Sequence, residues 1–493
     1  MTTLVLLALI LSSPVADAKT VVHDSIEAMG GEARLRGIHT LSLDALGHVY
    51  AIDQSERPEG PWVTDYEQYR ELLDLDGGRL RRTIENRSTY QPAWSAATTI
   101  IADGVVANVN GANLAPGRPA EAEDAAIALA LGPARVLLTA LDASDLTSDP
   151  DETAQGIKQR VVRFTWKQMH VRLLINAHTR LLTAIDVVRD DPRGIWGDIT
   201  ERTWLTYWML ESNGLMFPRQ WNREWNGTPI AELSITAFTP NPTVPADAFA
   251  IPPAVREAFA KVPRANYRDM KLGSGGPAQD LAEGVVFMPG SWNVTLVKQA
   301  DGLVVIEAPI SSNYSVQVLD EAARRFPGVR IKAVITTSDA WPHMSGLREY
   351  VARGIPVYGL DLNKPIIDRL LASKYRAVPD KLAGAPAKIQ FHPVSDKTVL
   401  GDGPNRIVIY PIYGENGERM LMAHLPDRRL LYSSDDIIKM RDGSYFMPGM
   451  LVEVTDAVAR NGVGGIDTAF GMHLKPTPWP EILGTLQRLR AGQ

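Results

Sequence analysis

Histidines and carboxylates are the side chains with which this sequence could do chemistry. The chain has no cysteine, which excludes disulfides, thiolate metal ligands and cysteine nucleophiles together. It also lacks the G-x-S-x-G elbow of serine hydrolases, the phosphate-binding G-x-x-x-x-G-K-[ST] loop and the helical H-E-x-x-H zinc motif. Ser433 and Ser434 have no positioned base in the sequence and are typical of a capped turn.

Six of the nine histidines carry no predicted function, because they lie in the N-terminal half or on unrelated strands. These are His23, His39, His48, His170, His178 and His392. The remaining three, His343, His424 and His473, lie in the C-terminal part and close in sequence to acidic residues. Any histidine chemistry is therefore expected in the C-terminal part.

Composition narrows the class of protein. The 493 residues are 45% hydrophobic and 22% charged, as in an ordinary soluble globular protein. At roughly 150 residues per domain the length predicts two or three domains, and we take two as the working count. A net charge of -6 at pH 7 and a pI near 5.9 give no basic surface for nucleic acid, which we exclude as a partner.

The N-terminus is typical of an export signal, predicted over residues 1–18. Leu4 to Leu11 is an apolar run of signal-peptide length, Pro14 breaks it, and Ala16-Asp17-Ala18 offers small residues for cleavage. No Lys or Arg precedes the run, so an uncleaved interfacial anchor is the alternative. No segment reaches the roughly 20 apolar residues of a transmembrane helix. We therefore expect a periplasmic or secreted protein without a transmembrane segment.

Residues 19–263 are predicted to form an antiparallel β-rich domain. Apolar residues alternate through Arg160 to Asp190, and Asn226-Gly227 is a strong hairpin signal. Two helices are predicted to interrupt the strands, at Ser25 to Arg36 and at Glu121 to Leu141. We therefore expect an antiparallel sheet that is curved over one or two helices.

This first region resembles the LolA/LolB-like envelope domains, which are half-barrels. The resemblance rests on Ala28-Met-Gly-Gly-Glu, the paired hairpins and the closing Asn241-Pro-Thr-Val-Pro-Ala-Asp-Ala-Phe. It implies a concave apolar face able to hold a hydrophobic small molecule or lipid. The alternative is that the same aromatic residues fill a closed core.

The pattern changes after a linker predicted over residues 264–280, which contains Gly273-Ser-Gly-Gly-Pro277. Residues 281–493 begin with short apolar strands, continue with helices between strands, and then form a meander of strands. This order predicts two sheets between outer helices, an α/β fold of the αββα type.

The loop after the strand at Ile331 carries the second resemblance. It reads Thr337-Ser-Asp-Ala-Trp-Pro-His-Met-Ser-Gly346, and without a gap it resembles the T-H-x-H-x-D-H-x-G-G loop of the metallo-β-lactamase superfamily. In that family the first two histidines bind one zinc ion, and the aspartate and last histidine bind a second. Here Ser338, Ala340 and Pro342 replace three of these ligands, and His343 remains.

Downstream, the resemblance assigns the family's bridging aspartate to Asp435 and its last histidine to His473. The third histidine of the first zinc site is missing, and Asn416 is its nearest equivalent. The first site has thus lost its histidines, whereas His343, Asp435 and His473 remain for one Zn or Fe ion. Two histidines and a carboxylate leave coordination positions open for water. Asp339, His424 and Asp436 are candidate supporting residues.

Three functional hypotheses remain open from the sequence, and a purely structural envelope protein is the least favoured of them. The loss of four family ligands favours an exported pseudoenzyme with a degenerate metal site, retained as a binding or scaffold protein. The alternative is a mononuclear metal-dependent hydrolase of esters, lactones or amides. A metal measurement separates the two, because only the hydrolase needs the ion.

Overall fold

The structure is a computed structural model, and it describes residues 17–52, 62–88, 93–111, 113–264, 266–415, 419–440 and 442–492. All but the last two residues of the predicted signal peptide lie outside these ranges, as does Asn416. The chain groups into two compact units. The first contains Met1–Val49, Asp65–Arg189 and Thr200–Arg264, and the second contains Tyr50–Thr64, Asp190–Ile199 and Ala265–Gln493.

The first unit is built on a 13-stranded, largely antiparallel sheet. Its strands are β1 (Thr40–Tyr50), β2 (Thr64–Asp74), β3 (Arg79–Arg87), β4 (Ser95–Ala102), β5 (Val105–Asn110), β6 (Asn113–Pro116), β7 (Thr147–Ala154), β8 (Ile157–Trp166), β9 (Met169–Asn176), β10 (Leu182–Asp190), β11 (Asp198–Leu210), β12 (Met216–Trp225) and β13 (Thr228–Pro240). Its helices are α1 (Ala18–Ala28), α2 (Glu32–Arg36), α3 (Ala120–Leu131), α4 (Val136–Asp142) and α5 (Pro253–Phe259). The predicted antiparallel β-rich domain is confirmed. The resemblance to LolA/LolB-like domains remains a prediction.

Turn residues fix the hairpins of this sheet. Asn226 and Gly227 both have positive φ, 49° and 82°, as a type I′ turn between β12 and β13 requires. The turn after β9 is held by Asn176, whose side-chain oxygen accepts from the backbone N–H groups of His178 and Thr179. The turn at Asn226-Gly227 lies where the sequence predicts it.

The two predicted helices are each broken in two. Gly30 and Gly31, with φ of 116° and 97°, separate α1 from α2, and Gly132 separates α3 from α4 at a bend of 85°. α1, α3 and α4 contribute Ile26, Ala125 and Leu137 to an apolar core with the sheet. Among the described residues no single helix is long and apolar enough to cross a membrane, and only the bent pair α3 and α4 passes on length and composition.

The second unit has a seven-stranded and a six-stranded sheet. The first sheet contains β14 (Gln279–Ala282), β15 (Val285–Met288), β16 (Val294–Gln299), β17 (Gly302–Ile306), β18 (Ile331–Ile335), β19 (Val357–Leu360) and β20 (Phe391–Val394), in that order. The second contains β21 (Thr398–Leu400), β22 (Ile407–Pro411), β23 (Leu421–Leu425), β24 (Leu430–Tyr432), β27 (Thr468–Phe470) and β28 (Thr477–Pro478). A separate hairpin is formed by β25 (Ile438–Lys439) and β26 (Tyr445–Phe446). The helices are α6 (Ser312–Arg325), α7 (Trp341–Met344), α8 (Leu347–Ala352), α9 (Lys364–Ala372), α10 (Lys381–Gly384), α11 (Pro448–Arg460) and α12 (Trp479–Arg490).

The two large sheets of this unit pack face to face over a shared apolar core. Phe287 and Ile335 of the first sheet lie in one cluster with Ile409 and Phe470 of the second. The outer face of the second sheet is covered by α11 and α12, while α8 contacts β19 of the first sheet. The predicted αββα sandwich is confirmed. Its loops at one edge carry the side chains that the sequence singled out.

Candidate metal centre

The turn after β24 holds Asp435 in place. The backbone bends back at Ser434, which adopts the left-handed conformation with φ of 55°. The Ser434 hydroxyl donates to the carbonyl oxygen of Thr337 at 3.1 Å and lies 2.7 Å from the Thr337 hydroxyl. The turn is thereby tied to the loop after β18. Asp435 itself is buried, with 7% of its surface exposed.

His343 comes from α7, in that same loop after β18. Its Nδ1 lies 3.0 Å from the hydroxyl of Ser338, which also accepts from the backbone N–H of Ala340. When Nδ1 carries the proton and donates to Ser338, Nε2 keeps a lone pair for a metal ion. Outer partners of this kind orient metal-binding histidines. Ser338, in the position of the family's first zinc histidine, is thus the partner of the histidine that remains.

His473 comes from the loop after β27, which is hydrogen-bonded to the Asp435 turn. The backbone N–H of Met472 donates to the Ser434 carbonyl oxygen at 2.8 Å. The His473 ring also hydrogen-bonds to the backbone of Ser291. A quarter of the His473 side chain is exposed, compared with 6% for His343. Solvent therefore reaches the site from the His473 side.

The three side chains meet with the spacing that one metal ion requires. Nε2 of His343 lies 3.7 Å from one carboxylate oxygen of Asp435, and Nε2 of His473 lies 3.4 Å from the other. A ligand atom from each residue lies within 4.8 Å of the other two. Tetrahedral zinc, with ligands at about 2.0–2.1 Å, places neighbouring ligand atoms about 3.3 Å apart. The three residues are therefore close enough to share a single ion, with a shift of up to about 1.5 Å in the most widely spaced pair of ligand atoms.

Burial makes the charged forms of all three groups costly. It raises the pKa of Asp435 well above its ordinary value, and Glu307 and Asp339 add to this effect. Burial, together with His473, holds the pKa of His343 well below its ordinary value. Burial also lowers the pKa of His473 to about 4. Both histidines are therefore uncharged at neutral pH, which is the form that binds metal.

Two of the three predicted supporting residues lie beside this trio. Asp436 is 1% exposed, and neither of its carboxylate oxygens has a hydrogen-bond partner among the described residues. Burial raises its pKa well above the ordinary value, with further contributions from Glu453, Asp435 and Asp339. Asp339 is 2% exposed and also raises the pKa of Asp435. Within the described residues, the metal-sized group contains neither Asp339 nor Asp436.

The structure does not bring His424 to the trio. His424 pairs with Val408 and Leu431, whose side chains belong to the cluster on the outer face of the second sheet. Besides burial, its pKa is shifted by Arg406 and Asp427 rather than by any residue of the trio. Successive side chains along a strand point to opposite faces of the sheet. The closeness of His424 to acidic residues in the sequence therefore did not show on which face its side chain lies.

Glu307 is a buried carboxylate that the sequence reasoning missed. It follows β17 with φ of 81°, is fully buried, and accepts hydrogen bonds from the hydroxyl and the backbone N–H of Thr337. Burial raises its pKa to about 8. Strained backbone and a buried acid so close to the ligand loop are typical of functional sites. The sequence feature that could have identified Glu307 is the position of an acidic residue directly after the apolar run Leu303–Ile306.

Asn293 joins two loops of the site and was also missed. Its side-chain N–H donates to the Gly471 carbonyl oxygen at 2.9 Å, and its side-chain oxygen accepts from Gly290. The neighbouring Trp292 places its ring 5.9 Å from the His473 ring and 6.5 Å from the His343 ring, centroid to centroid. Both histidines thus have an aromatic wall on one side.

Gly471→Ala is expected to lower the affinity for Zn²⁺ about tenfold or more. A Cβ atom at Gly471 would lie 2.6 Å from the Ser434 carbonyl oxygen and 2.8 Å from the Ser433 hydroxyl, so the His473 loop must move away from Asp435. Competition with a chromophoric chelator measures the change. The control is Gly484→Ala on α12, where the added atom meets only Arg488 at 3.7 Å. Equal affinities for both variants would contradict the assignment.

No protein-family model and no curated protein matches this chain. Among solved structures, the DIM-1 metallo-β-lactamase is similar at 12% identity, over 45% of this chain and 99% of that chain, with a TM-score of 0.34. FIM-1 from Pseudomonas aeruginosa, in its mono-zinc form, is 14% identical over 46% of this chain and 97% of its own, with a TM-score of 0.34. The sec-alkylsulfatase Pisa1 from Pseudomonas sp. is 13% identical over 42% of this chain and 40% of its own, with a TM-score of 0.32. These similar structures are metallo-β-lactamase-fold proteins of low identity to this chain.

Proposed function

We propose that the second unit binds one divalent metal ion through His343, Asp435 and His473 and hydrolyses an ester, lactone or amide. The observation that carries the proposal is the convergence of two imidazole nitrogens on the two oxygens of one buried carboxylate, at 3.7 and 3.4 Å. Three ligands from three separate loops meet there. A bound cation would also offset the cost of burying Asp435 beside Glu307 and Asp339.

The chain's own residues divide the remaining tasks. A metal ion bound at such a site lowers the pKa of a coordinated water and polarises a carbonyl. Ser338 fixes the ring of His343, and the exposed edge of His473 leaves an opening for substrate. Asp436 is the candidate group for proton transfer: its buried carboxyl lacks a hydrogen-bond partner among the described residues, and a cation bound next to it would favour the charged form that accepts a proton. We further propose that the protein acts outside the cytoplasm, on the strength of the apolar run at Leu4 to Leu11.

Metal analysis of the purified full chain tests the proposal. We expect about one zinc or iron ion per chain, lost in His473→Ala and kept in the control His392→Ala, which changes an exposed histidine on β20. Hydrolysis of a panel of aryl esters, lactones and anilides should follow the metal content. A folded protein that binds no Zn²⁺, Fe²⁺ or Mn²⁺ at micromolar concentration would contradict the proposal.

A second candidate function is a scaffold without catalysis. It is favoured by the replacement of the first-site histidines by Ser338 and Ala340, two small side chains that are fully or almost fully buried and leave no room for ligands. In that case the sandwich is retained for binding, and the first unit carries a hydrophobic small molecule or an envelope partner. Metal bound at one ion per chain without turnover of any substrate in the panel would favour this reading over the hydrolase.

A further inference from the structure

The helix that carries His343 cannot fix its own position. α7 has four residues, contains Pro342, and has no side-chain hydrogen bond at its N-cap. Helices this short are not stable by themselves, so packing must hold them. In addition, only His343 of this loop remains as a metal ligand, so a bound ion would hold the loop at one point. Ser338 orients the His343 ring within the loop, and the Ile310 N–H donates to the Pro342 carbonyl oxygen at 2.7 Å. The rest of the support for α7 must come from what packs against it.

Residues 190–199, which belong to the second unit by their contacts, form a compact arm. Its centre is Asp191, a fully buried residue whose carboxylate accepts from the backbone N–H groups of Arg193, Ile195 and Trp196 at 3.0–3.1 Å. The backbone N–H of Asp191 donates to Gly197 at 2.7 Å, which closes the loop. The arm thus presents Trp196 in a fixed orientation.

The arm is anchored to residues 374–377, just after α9. The Tyr375 hydroxyl donates to the Ile195 carbonyl oxygen at 2.6 Å, and the Asp198 carboxylate accepts from the backbone N–H groups of Arg376 and Ala377. Gly197 has φ of 69°, and a Cβ atom there would lie 2.2 Å from the Lys374 carbonyl oxygen. Only glycine permits this approach, so the contact is specific.

Trp196 reaches α7 directly. It is 2% exposed and lies beside Trp341, the first residue of α7, which is 4% exposed. The guanidinium carbon of Arg369 lies 5.0 Å from the Trp196 ring centroid and 4.2 Å from that of Trp341, so one cation contacts both side chains. Such cation–π contacts add to the packing. Trp341 stands two residues before His343 in the same helical turn.

From this chain of contacts we infer that Trp196 is a positioning residue of the metal centre, which sets the orientation of His343 through Trp341. The inference rests on the proposed metal site, to which it adds a residue about 150 positions away in sequence. The ligand loop in this chain is braced by an arm that follows β10, rather than by neighbouring ligands. Loss of the indole would leave a cavity beside α7 and let the His343 ring turn away from Asp435.

The test compares Trp196→Ala with Trp196→Phe and with the control Trp204→Ala, which changes a partly buried tryptophan of the first unit. Competition of the full chain for Zn²⁺ with a chelator should show an affinity about 10- to 100-fold lower in Trp196→Ala. Trp196→Phe should stay within about threefold of the wild type, because an aromatic ring still fills the site. In the metal-free protein, the His343 imidazole resonance should shift or broaden in Trp196→Ala alone.

Unchanged affinity and an unchanged His343 resonance in Trp196→Ala would overturn the inference. If Trp196→Ala does not fold, Tyr375→Phe decides, because it removes only the hydroxyl that anchors Ile195 and should shift the same resonance. The resonance is read without metal. A wild type that binds no Zn²⁺ would therefore defeat the proposed function and still leave the role of Trp196 to be judged from the spectrum.

Discussion

Asp435→Asn is expected to abolish metal binding and at the same time to raise the melting temperature of the metal-free protein. The amide is a poor metal ligand, but it removes a carboxylate that is buried near Glu307 and Asp339 and whose Oδ1 has no well-formed hydrogen bond among the described residues. A buried polar group without a hydrogen bond lowers the free energy of unfolding by about 1–3 kcal/mol. For a unit of this size, each kcal/mol corresponds to about 2–4 °C.

The effect of Asp435→Asn should depend on pH in a defined direction. The pKa of Asp435 is raised in the folded protein, so the folded state binds a proton more tightly than the unfolded chain, and stability falls as pH rises above the unfolded value. The gain from Asn should thus be larger at pH 8 than at pH 5. Thermal melts of chelator-treated protein measure it, with the exposed Asp456→Asn on α11 as control. Destabilisation of the metal-free protein at pH 8 would contradict the assigned environment.

Glu307→Gln is expected to flatten the loss of stability of the metal-free protein between pH 5 and pH 8. The pKa of Glu307 rises from 4.5 to about 8 on folding, because the carboxyl group is fully buried. Between these values the folded state keeps a proton that the unfolded chain releases, so stability falls with pH. The wild type should lose on the order of 4 kcal/mol through this group, at about 1.4 kcal/mol per pH unit.

Glutamine suits this site because its amide oxygen can still accept from the hydroxyl and the backbone N–H of Thr337. Urea unfolding at pH 5, 6, 7 and 8 measures the slope, and Glu283→Gln, whose side chain is 93% exposed, serves as the control. Identical slopes for Glu307→Gln and the wild type would mean that Glu307 is charged in the folded protein. A cation or donor outside the contacts described would then have to stabilise it.

The sequence predicted the second unit well because its strands are short, apolar and bounded by turn residues. β15, β17, β18, β19 and β22 are short strands of mostly buried apolar residues, as expected for this region. The stretch from Thr337 to Gly346 also follows a buried strand, β18, and leads into a helix, α8, as the resemblance implied. Local patterns of this kind survive folding because each strand buries its own apolar side chains.

Long-range packing is what the sequence could not supply. Asp191, Trp196 and Glu307 acquire their roles from contacts with residues 30 to 180 positions away or from a backbone turn, and no local pattern marks them. His424, in contrast, was predicted to support the site and does not lie there. Its closeness in sequence to acidic residues does not show which face of β23 its side chain occupies. The helix predicted over Glu121 to Leu141 failed at Gly132, where a single glycine allows a bend of 85°.

The hydrogen bond between Ser338 and His343 also limits how this loop could be redesigned to hold a second ion. Ser338 is fully buried, so a histidine in its place would need several more atoms of space and would collide with the ring that it now supports. A histidine introduced at position 338 would therefore disturb His343 before it could act as a ligand itself. Any engineered two-metal version of the loop would have to replace the support of His343 in the same step.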